Sequence, residues 1–255
     1  LRIFVNSVIS ACNINDKKDY INIFINYFNN EQIDDIATLN QLNSLLSVPM
    51  KLCEPEQIEL LINYAVTALE NPAEEIRLMS VQFMNCLVNQ KEDVNVSLEK
   101  IKNIIENISY SENICINFLK SKIAGKLGMD EELIGKYNQL ISYDRNKTSD
   151  LFLNNLKAAT PWNVKTVNID FIMDNIKKSN EVTLLQTATH LCNLVKVSAK
   201  ESVRNKAGNS LLEIGPLLSI DQRNEIAIEL IKGLEIDELQ YAKYIPEYLG
   251  RFVLL

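Results

Sequence analysis

The sequence predicts an all-α fold in which antiparallel helix pairs follow one another along the chain. Three observations predict it. Apolar residues recur at three- and four-residue spacing almost throughout, glycine and proline number only 7 and 6 in 255 residues, and short sequence echoes return at multiples of roughly 35–40 residues. A β-rich fold of this length would need many more turn residues. Single compact cores stop growing near this size, so an extended repeat array fits a 47% hydrophobic chain better than one closed core.

The elements follow in order. Periodicity alone places helices at about 1–11, 17–29 and 31–47. The next, at about 55–70, carries Glu56 and Glu59 in its first turn; Asn71-Pro72 separates it from a helix at about 73–89 that opens with Glu74 and Glu75. Helices at about 94–108 and 112–128 come next, the second closing on Leu127-Gly128, and then one at about 130–143 behind Asp130 to Glu132. A short helix is expected at about 148–157, and Thr160-Pro161 caps another at about 162–178, because proline is tolerated in a first helical turn. The last four lie at about 181–197, 200–217, 221–234 and 237–253. Acidic residues in the first turns, Asp237 and Glu238 among them, oppose the positive end of the helix dipole and contribute about 0.5 kcal/mol each. Pro246 is expected to bend the final helix at its middle.

The echoes supply a repeat register. Ile76-Arg77 is followed by Ser80, Met84 and Leu87, and Val203-Arg204 by Ala207, Leu211 and Ile214 at the same spacings. Ala242, Pro246 and Leu249-Gly250 continue that register, and Leu127-Gly128 echoes the helix end. A small residue at Ser80, Ala207 or Ala242 lets neighbouring repeats approach closely, while Met84 or Leu211 fills the space one turn later. On these residues, above all Val203-Arg204-x-x-Ala207-x-x-x-Leu211, the chain resembles the HEAT/armadillo type of helical repeat. That resemblance implies an α-α superhelix, a single HEAT-like α-solenoid over 1–255, and a protein-binding role. Arg77 and Arg204 are expected to reach an acidic group of the adjacent repeat. The stretch 144–160 departs from the pattern, so a bend or irregular repeat is expected there, with Asp144-Arg145-Asn146-Lys147 the best place for a division into halves.

Composition narrows the function. A net charge of −7 argues against a surface that neutralises phosphates, so no nucleic acid partner is expected. The five cysteines, Cys12, Cys53, Cys86, Cys115 and Cys192, are dispersed and odd in number, which reads as reduced core thiols of a cytoplasmic protein. With His190 the only histidine, neither a zinc site nor a catalytic triad can be assembled, and His190 reads as a structural histidine. Gly125-Lys126-Leu127-Gly128 is a helix end and not a phosphate loop. No apolar run reaches membrane-spanning length, and the N-terminus lacks the order of a signal peptide. The expectations are no membrane, no cofactor and no enzymatic activity. The Leu1 start and the apolar ending Phe252-Val253-Leu254-Leu255 suggest a fragment of a longer protein.

What remains is a scaffold that binds another protein, or another domain of the same chain, in a groove lined by successive helices. The alternative is an accessory or regulatory segment of a larger multidomain enzyme. Two basic clusters, Lys196, Lys200, Arg204 and Lys206, and Lys120, Lys122, Lys126 and Lys136, are either solvated helix faces or docking patches for an acidic peptide. Trp162 either anchors a helix start or marks a partner contact. Tyr241, Tyr244 and Tyr248 form one stripe, continued by Phe252, while Leu239, Ala242, Leu249 and Val253 form a second set able to pack on the preceding repeat. The tyrosine stripe is either a core face or an interface. The scarcity of polar cover, Lys243, Glu247 and Arg251, points to an interface that would permit self-association through the C-terminal helix.

Overall fold

The computed structural model describes residues 18–19, 21–23, 25, 35–46, 48–93, 96–107, 111, 113–142, 156, 162–235 and 242–255. Among them every regular element is helical. The chain divides into two compact units, Leu1–Ile141 and Ser142–Leu255. The helices expected at 1–11 and 148–157, and the bend expected near 144–160, lie outside the described residues apart from Leu156.

The first unit contains α1 (Asp35–Leu45), α2 (Pro55–Ala68), α3 (Glu74–Asn89), α4 (Glu99–Asn107), α5 (Ile114–Leu127) and α6 (Glu131–Ser142), the last ending at the division. Each boundary has a local cause. Pro55 occupies the first turn of α2 behind a capping box between Glu54 and Gln57. Asn113 accepts the amides of Cys115 and Ile116 at the start of α5, and Gly128, at φ 66°, ends it in the left-handed conformation that glycine adopts at least cost. Substantial contacts among α1 to α5 join helices one or two apart: α2 with α3, α4 with α5, α1 with α3, α2 with α4, and α3 with α5. The buried face of α3, which includes Ile76, Leu78, Met79, Val81, Phe83, Met84, Leu87 and Val88, is the centre of this core. α6 is tied in by the Tyr137 hydroxyl, which donates to the Ile105 carbonyl at 2.7 Å.

The second unit contains α7 (Trp162–Asn175), α8 (Glu181–Val197), α9 (Glu201–Ile214), α10 (Ile220–Lys232) and α11 (Ile245–Phe252). Its contacts obey the same rule: α8 with α9, α7 with α9, α8 with α10, α9 with α11 and α10 with α11. Bonds between successive repeats also show the period. Asn71 donates to Asp35 across 36 residues, Lys100 to Asn63 across 37, Gln90 accepts from Met50 across 40, and Lys206 donates to Asp170 across 36. Nearest-neighbour contact at a fixed period defines an all-α helical-repeat fold within each unit.

Two expectations need correction. Helix 237–253 is not continuous: residues 243–244 form a turn and α11 begins at Ile245, with Pro246 in its first turn. Proline lacks the amide needed in a helix interior and crowds the carbonyl four residues back, so the chain restarts the helix at this point and does not bend through it. The partners described for Arg77 and Arg204 are loop carbonyls, where an acidic group of the adjacent repeat was expected. Arg77 donates to the Asn71 and Pro72 carbonyls at 2.8 and 2.7 Å, and Arg204 donates to the Ser198 carbonyl. Both close their own hairpin loop, because carbonyls past a helix end have no intrahelical donor and the guanidinium fork supplies one.

Candidate interaction surface

Of the residues expected to contact a partner, the structure brings Lys200, Arg204 and Tyr244 together. Lys200 is exposed immediately before α9, and its carbonyl accepts the amides of Val203 and Arg204 at 3.1 Å each. Arg204 is 5% exposed; its guanidinium carbon stands 4.3 Å from the centroid of the Tyr244 ring, and Lys243 Nζ stands 4.8 Å from the same centroid. Tyr244 is half-buried and carries two cations, a stacking arrangement that favours the electron-rich ring face. Trp162 is half-buried at the first position of α7. Tyr241 lies outside the described residues.

Tyr248 points inward. It is 5% exposed, its hydroxyl donates to the Asn205 side-chain oxygen at 3.2 Å, and burial pushes its phenol above the usual range. With Ile245 and Phe252 it forms the buried face of α11, whereas Val253, expected to pack inward, is 61% exposed. Of the two readings of the stripe, Tyr248 and Phe252 follow the core-face one, and Gly208 makes room for it. An added Cβ there would lie 2.3 Å from Tyr248 Cε1, so the missing side chain makes the slot into which the ring fits.

The basic clusters are largely spent on internal partners. Lys196 pairs with Glu229 at 3.0 Å, and Lys206 with Asp170. In the other cluster Lys136 pairs with Glu132 at 2.7 Å, Lys122 lies 5.4 Å from the Phe118 ring centroid, and Lys120 is 2% exposed, its amine lowered to about 8 by burial. Cys53 and Cys192 are poor nucleophiles. Burial, with Glu54 adding to it, pushes Cys53 up to about 12, and burial pushes Cys192 to about 12 as well. His190 is half-buried on α8. Among the described residues no helix is long and apolar enough to cross a membrane.

Sequence reasoning missed a larger feature. On α10, Ile220, Ile228 and Ile231 are 69%, 53% and 48% exposed, and Leu234 in the following turn is 41% exposed. The signal was present as two apolar rows on one helix, Ile226 and Leu230 in one and the isoleucines in the other.

Two solved structures are similar to this chain. One is described as Crescerin, using a TOG domain array to regulate microtubules in the primary cilium, at 15% identity and TM-score 0.35, covering 85% of this chain and 84% of that one. The other is a designed armadillo repeat protein, at 17% identity and TM-score 0.32, covering 90% of this chain and 98% of that one. No family model matches the sequence, and no curated protein matches it. The repeat architecture rests on the helix contacts described above and not on these likenesses.

Proposed function

We propose that the chain is a non-enzymatic scaffold that binds another protein along the surface where successive helices line up. The observation that carries this reading is the contact pattern: within each unit the substantial contacts among the described helices run only between helices one or two apart in the chain. Such an arrangement spends its apolar residues between neighbours and extends its outer surface with every repeat, which suits it to hold an extended partner. The side chains with chemistry to offer are turned to structural use, Arg204 on a loop carbonyl and Cys192 within the core. Selection of a displayed peptide library against the purified chain tests it. Ligands sharing one sequence pattern, competing with each other and weakened by Lys200→Glu or Tyr244→Ala at unchanged melting temperature, are the expected result. Failure to enrich any common pattern over several rounds would count decisively against a scaffold.

A further inference from the structure

The exposed row on α10 is an apolar feature that no described helix of the second unit covers. α10 packs on α8 and on α11, and is pinned by the Lys196–Glu229 pair and by Gly233, where an added Cβ would meet Ile245 at 2.7 Å and Lys196 at 2.8 Å. α8, between α9 and α10, buries Leu184, Ala188, Leu191, Cys192, Leu194 and Val195 along with Thr187; α10 buries Ile226 and Leu230. At about 100° per residue, Ile220, Ala227 and Ile231 fall within about 40° of one another, and Ile228 lies about 60° to one side. Leu234 extends the row in the turn that follows. This flank has the composition of the faces that pack one repeat on another, and it continues the α8–α10 contact outward.

Charge indicates what covers it. On the side of Ile228 the row is bordered by Asp221 and Glu225, both exposed, with Lys232 between them on the wheel, its amine bonded to Glu229 at 2.6 Å and within the field of Glu225. Glu229, further round, is already held by Lys196 at 3.0 Å and Lys232 at 2.6 Å. A second copy is a poor occupant: in an antiparallel two-fold pair the acidic border of each α10 lies alongside that of the other, and the net charge of −7 adds to the repulsion. We propose that this flank docks an amphipathic helix of a partner protein whose aliphatic stripe is bordered by lysine or arginine facing Asp221 and Glu225. The inference rests on the scaffold reading and gives it a location and a partner chemistry.

Two synthetic helical peptides of about five turns, sharing one leucine stripe and differing only in lysine or glutamate at the bordering positions, are titrated into the chain by fluorescence anisotropy. The lysine peptide is expected to bind about fivefold tighter or better, with the gap closing at high salt. Ile231→Glu is expected to weaken it about tenfold or more while leaving the melting temperature unchanged, because the side chain it replaces is exposed. The double variant Asp221→Lys, Glu225→Lys is expected to reverse the preference between peptides, which loss of folding could not do. Equal affinities together with indifference to Ile231→Glu would overturn the proposal. So would a concentration-dependent dimer abolished by Ile231→Glu, which would make a second copy the occupant. A thiol at Ile231→Cys that is already blocked from labelling in the longest natural polypeptide carrying this sequence would place the cover in cis and equally end it. If peptides selected elsewhere on the surface still bind, only this inference fails and the scaffold reading stands.

Discussion

Gly208→Ala should destabilise the second unit, although the same substitution in an exposed helix does the reverse. Within α9, an added Cβ would stand 2.3, 2.4 and 2.6 Å from Cε1, Cζ and Cδ1 of Tyr248, where carbon atoms prefer about 3.5–4.0 Å. The ring must retreat by about 1 Å, yet it is anchored by Asn205 and flanked on α11 by buried Ile245 and Phe252. Overpacking of this kind costs about 1–3 kcal/mol, and a clash against a rigid ring belongs near the upper end. Alanine returns about 1 kcal/mol through helix propensity, so the net loss is about 1–2 kcal/mol. For a unit of this length that is a fall of about 5–10 °C in melting temperature, read by circular dichroism. Gly250→Ala, in α11 with nothing within 4 Å of the added atom, is the matched control and should raise stability by about 0.5–1 kcal/mol. In a Tyr248→Leu background the Gly208→Ala penalty should shrink or vanish. A Gly208→Ala variant as stable as the control, or a penalty unaltered by Tyr248→Leu, would refute the slot.

Two further substitutions test buried and paired charge. Burial lowers Lys120 from 10.5 to about 8, so the folded state sheds a proton that the unfolded chain keeps between those values, and stability rises with pH across that window. Lys120→Met should therefore remove the rise in stability between pH 8 and 10.5 in denaturant titrations; a rise of equal size in the variant would show that the amine is not its source. Hydrogen bonds from Lys232 and Lys196 hold Glu229 down at about 2, against an ordinary value of 4.5, so its contribution is present above pH 4.5 and lost as pH falls toward 2. Glu229→Gln should flatten the melting temperature across that acid range, and parallel curves for the two proteins would show that the lysine pairs do not support the α8–α10 contact.

Much of the fold was legible because local and non-local signals agree in a repeat protein. The same few residues set the helix and its neighbour contact. Ala207 and Ser80 are fully buried, and so are Met84 and Leu211, where the echoes placed them. Repetition also carried across the chain: Arg77 and Arg204 make the same bond to a carbonyl at the start of their own loop. Their partner was not legible, since an apolar-Arg pair says that a guanidinium is held but not by what. An acid in the next repeat and a carbonyl six residues back are equally polar, and only the backbone path through Asn71 or Ser198 brings the carbonyl within reach.

The surface was less legible, because a helix in a stack has more than one apolar side and the sequence does not label them. Tyr244, Tyr248 and Phe252 form a stripe at helical spacing, yet the turn before Ile245 and the slot at Gly208 rotate Tyr248 and Phe252 into the core and leave Val253 outside. Neither cause is periodic, so no count of apolar positions could assign the faces. On α10 the ambiguity runs the other way: Ile226 and Leu230 match the isoleucine row in chemistry, and the difference between 1% and 69% exposure, at Ile226 and Ile220, comes wholly from where α8 and α11 lie. Charge breaks that tie in part. Glu229, beside the covered row, has its lysines from this chain, whereas Asp221 and Glu225 beside the bare row face outward without an ion pair among the described residues. An acid whose counter-charge comes from a neighbouring helix, as Glu229 has from Lys196, marks a face the fold itself closes, and no such pairing singles out the exposed row among the described residues.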